Sequence, residues 1–191
     1  SKLENKIDDV ISFVKKEIQL GNQIFWVCPL IDESKKIDHT SAVKKSEFLN
    51  KLFPKQVFLL HGKTTIEEKE IILNKFLNND FKILVSTTII EVGIDFPNAN
   101  VIIIENANKF GLSQLHQLRG RVGRGNKESS CILLFKTNLS DNAKKRINIL
   151  KDSNDGFKIS EEDMKLRGFG DILGFKQSGI KNFKLADPIH N

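Results

Sequence analysis

The chain has no tyrosine, one tryptophan, one methionine, four prolines and two cysteines among 191 residues. Two cysteines cannot build a disulfide framework. Cys28 and Cys131 each lie inside an apolar run, with no CxxC or His-rich cluster nearby. They read as reduced, structural thiols suited to a reducing compartment, which predicts a cytoplasmic protein. No apolar run is long enough to span a bilayer and no secretory leader is visible, so neither a membrane partner nor export is expected. The missing tyrosine, beside abundant Lys, Asn, Ile and Phe, fits an AT-rich coding sequence and carries no function.

A complete phosphate loop is also missing. Gly62-Lys63-Thr64 looks like the end of one, but the pattern also needs glycine at position 57, where Val57 stands. Without it the backbone cradle for phosphates is lost. Leu30-Ile31-Asp32-Glu33 imitates the acidic end of a Walker B strand, yet Pro29 interrupts the run. Gly168, Gly170 and Gly174 have the wrong spacing for a dinucleotide fingerprint and follow no strand. The chain therefore carries no complete nucleotide site of its own.

What is present begins with charge. Thirty Lys and Arg against 24 Asp and Glu leave a net charge of +6, which suits a phosphate-bearing partner. Leu3, Ile7, Val10, Ile11, Val14 and Ile18 recur at helical spacing, and Gly21 stops them. Ile24–Cys28, Val57–Leu60, Ile83–Val85, Val101–Ile104 and Cys131–Phe135 read as strands. Helices are expected near 42–52, 67–77 and 113–119, and over a segment with Ala143, Ile147 and Leu150 on one face. The strands are continuous apolar runs, as burial on both faces requires. The predicted fold is α/β: an open, mostly parallel sheet with helices on both faces. Its chemistry is expected in loops at the carboxyl ends of the strands.

The composition changes near Lys151. We divide the chain into a sheet domain over 1–150 and an appendage over 151–191. The appendage is predicted to open a helix at Ser160, capping Asp163, with Ile159 stapled to Met164. A glycine-rich loop follows, from Gly168 to Gly179.

Two motifs carry chemistry. Gln117-Leu118-Arg119-Gly120-Arg121-Val122-Gly123-Arg124 sets two arginines three apart, each near a glycine that permits close approach. Two guanidinium forks can reach one polyphosphate, where charge builds on a transferring phosphoryl group. Ser86-Thr87-Thr88 through Gly93-Ile94-Asp95 leaves a strand end with hydroxyls for a phosphate oxygen, and Asp95 can accept from a ribose. His61, taken by itself, is a packed or capping histidine.

Together these segments resemble motifs VI and V of superfamily 2 helicases. Phe25-Trp26-Val27-Cys28-Pro29, Lys109-Phe110-Gly111-Leu112-Ser113-Gln114-Leu115-His116-Gln117 and the tail from Asp155-Gly156-Phe157 to Gln177-Ser178-Gly179 resemble the RecG family within them. The tail is also similar to the translocation motif of the transcription-repair coupling translocase Mfd. The resemblance departs at Phe169, where proline is usual, and at Phe175-Lys176, where Thr-Arg is usual.

The resemblance implies a second RecA-like motor domain, inactive alone. A first motor domain of the same chain would hold most of the ATP and Mg²⁺, beside a wedge domain. Arg121 and Arg124 would be arginine fingers, and Gly93, Asp95 and Gln117 would face the nucleotide. Thr87 would touch the DNA backbone. Arg167 and Gln177 would couple cleft closure to movement on branched double-stranded DNA such as forks and Holliday junctions. A nucleoid-associated cytoplasmic location follows from the same resemblance. The alternatives are the matching domain of a transcription-repair coupling translocase, or a noncatalytic nucleic-acid-binding module.

Overall fold

The computed structural model describes residues 2–3, 7–29, 35–87, 98–123, 128–135 and 139–167. Among the described residues six strands form one sheet: β1 (Lys2–Leu3), β2 (Gln23–Cys28), β3 (Val57–Leu60), β4 (Ile83–Thr87), β5 (Ala99–Ile104) and β6 (Ser130–Phe135). Their order is β1-β6-β5-β2-β4-β3, and every ladder is parallel. The parallel sheet read from the apolar runs is thus the one observed. β2, β4 and β5 are buried along their whole length, as strands covered on both faces must be.

Alternate residues of those strands feed two cores. Ile24, Trp26, Ile83, Val85, Val101 and Ile103 face one side. There α1 (Ile7–Gln19) presents Val10, Ile11 and Val14, and α2 (Lys35–Leu52) presents Ala42 and Leu49. Phe25, Val27, Leu84, Ile102 and Ile104 face the other side. That side is covered by α3 (Ile66–Leu77), α4 (Leu112–Arg119), α5 (Asp141–Asp152) and α6 (Gly156–Arg167). The boundary between 150 and 151 that divides the expected units falls inside α5, and Ile159 of α6 joins the same core as the sheet.

Two local expectations are corrected. Leu3 does not extend α1. It sits in the short β1, paired with Phe135 of β6, and the helix starts at Ile7. The helix expected from Ser160 starts four residues earlier, at Gly156. Asp155 serves its first turn: the Phe157 amide donates to Asp155 Oδ1 at 2.9 Å, and the Ile159 amide to Asp155 O at 3.0 Å. Ile159 is buried while Met164 is 37% exposed, so no staple joins them.

Among the described residues no helix is long and apolar enough to cross a membrane.

Candidate functional site

Because all strands run the same way, the sheet has a carboxyl edge and an amino edge. Thr87, near the start of one motif, and the described part of the arginine motif lie at opposite edges. Thr87 ends β4 at the carboxyl edge, level with Cys28. The arginine loop lies at the amino edge, where the Gly123 amide donates to Ala99 O, the first residue of β5, at 3.1 Å. Gln23–Cys28 spans the interval, five steps of strand, or about 16 Å at the usual rise. Thr87 therefore stands at a strand's carboxyl end, where site residues were expected, and Arg121 does not. The reason is topological: α4 leaves the carboxyl end of β5 and returns its own C-terminus to the amino edge.

At the carboxyl edge, Thr87 and Ser86 are buried, and the Ser86 hydroxyl donates to Thr87 O at 3.1 Å. They line a cavity of about 260 Å³ with His61, Gly62, Thr64 and Lys69. The turn from β3 into α3 shapes the opposite wall. The His61 amide donates to Thr64 Oγ1 and the Lys63 amide to His61 Nδ1, both at 3.1 Å. His61 thus caps a turn, as expected of it alone. Thr65 and Glu68 then close a reciprocal capping box at 3.2 Å each way. The Thr64 hydroxyl and the Lys69 ammonium line this cavity, while the start of α3 beside it is closed by its own capping box.

A second polar group stands at this edge. Glu105 accepts from Trp26 Nε1 at 3.0 Å, pairs with Lys45 Nζ at 2.7 Å, and accepts weakly from Cys28 Sγ at 3.8 Å. Burial, and then the charge of Glu105, push the Cys28 thiol far above its ordinary range. Burial likewise raises Cys131 to about 11. Neither sulfur is a thiolate near neutrality, which agrees with the structural reading of both.

At the amino edge, α4 sets the arginine loop. Leu112 and Leu115 are fully buried against the sheet, each stabilising by about 1.5–3 kcal/mol. Gln117 is exposed on the opposite face. The Arg121 amide donates to Leu118 O at 3.1 Å, so one more turn carries the chain to a half-buried Arg121. Val122 is buried beneath it. Gly123 has φ +77°, and a Cβ there would collide with the side chain of Ser129. Gly120 differs, with φ −71° and only ordinary contacts at 3.6 Å for a Cβ. The two glycines of the motif thus have different work, and only Gly123 is required by the local backbone.

Reading by motif passed over the residues that hold α4 in place. Arg119 donates to Leu150 O at 2.7 Å and Ser153 O at 3.0 Å, closing the C-terminus of α5. Its other nitrogen lies 3.0 Å from His116 Nδ1. A guanidinium can only donate, so Nδ1 accepts. Burial, with the Arg119 charge second, lowers the His116 pKa below 6.5. A Cβ on Gly156 would lie 3.3 Å from His116 Nε2, so α6 begins tight against this ring. At the other end of α4, the Ser113 hydroxyl donates to Asp163 Oδ2 at 2.7 Å, and Asp163 is 8% exposed. Arg146 of α5 donates to Phe110 O and Asn108 O at 2.9 and 3.2 Å. The spacing Ile159–Asp163–Leu166 is a signal that Asp163 faces inward, unlike Glu161 and Glu162 of the same acidic run.

Gly93, Asp95, Arg124 and Gln177 lie outside the described residues, as do Phe169, Phe175 and Lys176. Arg167 ends α6. Among the described residues no group of three His, Cys, Asp or Glu could hold a metal ion.

Residues 5–126 match the helicase conserved C-terminal domain family, and residues 153–190 match the family described as ATP-dependent DNA helicase RecG, domain 3, C-terminal. The chain belongs to the helicase C-terminal domain family. Within it, the chain is homologous to the C-terminal part of RecG. It is 46% identical over 187 residues to the ATP-dependent DNA helicase RecG of Bacillus subtilis, covering 97% of this chain and 27% of that protein. Against the Thermotoga maritima RecG it is 47% identical, over 96% of this chain and 24% of the relative. The structure of RecG bound to a three-way DNA junction superposes with a TM-score of 0.77 at 43% identity, covering 96% of this chain and 23% of that one. The Pyrococcus furiosus Hef helicase domain, 22% identical over 73% of this chain with a TM-score of 0.53, shares the fold. The chain thus spans about a quarter of the length of its RecG relatives.

Proposed function

We propose that this chain is the second motor half of an ATP-dependent branched-DNA helicase that remodels stalled forks and Holliday junctions in recombination and repair. Residues 1–150 form the motor half and residues 151–191 the translocation motif. The observation that carries this reading is the pair of opposite edges. The amino edge offers the arginine loop to ATP held with Mg²⁺ by a first motor domain of the same protein. The carboxyl edge offers Thr87 and the cavity it lines to the DNA backbone.

In this reading Arg121 and Arg124 stabilise charge on the transferring phosphoryl group, while Gln117, Gly93 and Asp95 complete the nucleotide face. Holding these groups apart until the cleft closes makes hydrolysis depend on closure, and hydrolysis lets the cleft reopen. Each domain then grips DNA phosphates in turn, and duplex arms are drawn past a wedge domain. Arg167 and Gln177 relay closure to the surface that grips the duplex. The work belongs to the cytoplasm, at the nucleoid.

The test is made in the complete motor, with the first domain present. Arg121→Ala and Arg124→Ala are each expected to cut ATP turnover by about 10³–10⁵-fold, the range of arginine fingers, with ATP binding retained. Wild-type turnover in both variants contradicts the assignment.

A further inference from the structure

α6 runs between the two edges alongside α4, in the opposite sense. Two contacts show this in order, Ser113 with Asp163 and His116 with Gly156, and Arg119 meets Ser153 in the turn just before α6. As the α4 number rises, its partner's number falls. Ser113 lies in the first turn of α4, toward the carboxyl edge, and Arg119 ends α4 toward the amino edge.

The two helices are held unequally. Leu112 and Leu115 anchor α4 deep in the sheet core. α6 buries Ile159 as its one fully covered apolar side chain, while Phe157 is 91% exposed and Met164 is 37% exposed. Leu166 of α6 and Leu118 of α4 pack partly against the same core. To this packing Asp163 adds a polar tie between the two helices. The N-cap of α4 is Gly111, which has no side chain to offer, and Gln114 reaches back to the Gly111 amide at 2.9 Å. Asp163 brings a negative charge to this same first turn, where the helix dipole favours it. The charge-assisted bond at 2.7 Å also holds the last turn of α6, which ends in Arg167.

We infer that Asp163 is a positioning residue: through Ser113 it locks α6 to the helix that carries the arginine loop, so that both move together when the cleft closes. The inference rests on the motor reading above. It adds the contact by which movement of α4 at the amino edge reaches the end of α6 at the other. A bistable or sliding contact there lets ATP be spent without movement along the duplex, whereas a locked one does not.

The experiment uses the complete motor and one branched double-stranded DNA, reading ATP turnover and strand unwinding on the same sample. Ser113→Ala and Asp163→Asn are expected to lower unwinding per ATP by roughly 3- to 30-fold, the size of measured coupling effects. ATP turnover should stay within about threefold in the same range of effects. Ser113→Thr, which keeps the hydroxyl, should restore the ratio. Ser113→Ala and Asp163→Ala should couple in a double-mutant cycle, the combined loss falling short of the sum of the two single losses. Asp163→Asn retains an acceptor for Ser113, so it reads the charge even if Asp163→Ala unfolds. An unchanged ratio in Ser113→Ala and Asp163→Asn overturns the inference, as does a parallel loss of both rates, or failure of Ser113→Thr to rescue. Arg121→Ala in the same assay separates the two levels. If it abolishes turnover while the Ser113 variants stay coupled, the motor reading stands and the tie falls. If it turns over ATP at the wild-type rate, the motor reading falls and the tie with it.

Discussion

His116 shows how one side chain reports on the junction of three helices. Its Nδ1 accepts from Arg119, and its Nε2 faces the backbone of Gly156. Protonation would turn an acceptor into a donor aimed at a guanidinium. Burial and the Arg119 charge lower the folded pKa below the ordinary 6.5. The unfolded chain therefore binds this proton first as the solution is acidified. Well above pH 6.5 both states hold neutral imidazole and the group has no effect on pH dependence. Below it, the folded state loses stability until its own lowered pKa is reached. Melting curves of the wild type and of His116→Asn, which keeps an acceptor near the Nδ1 position, should differ by a constant well above pH 6.5. The wild type should then fall relative to the variant as the pH drops. A constant difference down to pH 5 would show that His116 does not titrate against Arg119.

The arginine loop illustrates what a motif does and does not say at the scale of an element. Gly123 is held by its positive φ and by Ser129, while Gly120 sits in ordinary helical space. Gly123→Ala should destabilise the chain by about 1–3 kcal/mol, and Gly120→Ala should stay within about 0.5 kcal/mol. Chemical denaturation of the two variants checks this, and equal midpoints would mean the glycines are interchangeable. The strands were legible because burial on both faces leaves unbroken apolar runs such as Val101–Ile104. The arginine pair was legible because its density makes poor core. The edge that Arg121 occupies was not, since a linear motif does not say that a helix after a parallel strand returns to the amino side. The start of α6 was misread for a related reason. Ser160-Glu161-Glu162-Asp163 imitates a capping pattern, but Asp155 supplies the first turn and Asp163 is turned inward to Ser113. Local signals locate elements; partners fifty residues away decide which polar residues face the core.

At the scale of the molecule, one parallel sheet carries two working edges, and α4 with α6 runs between them. The chain matches about a quarter of each RecG relative, and its sequence has no complete phosphate loop. In the proposed reading, the arginines of the loop serve a nucleotide bound elsewhere in the complete motor. The most direct measurement is steady-state ATP turnover by this chain alone, with and without branched DNA, beside the same chain joined to its first motor domain. The chain alone should hydrolyse ATP no faster than buffer under either condition, and the joined protein should show DNA-stimulated turnover. DNA-stimulated turnover by the chain alone, abolished by Arg124→Ala, would contradict the account.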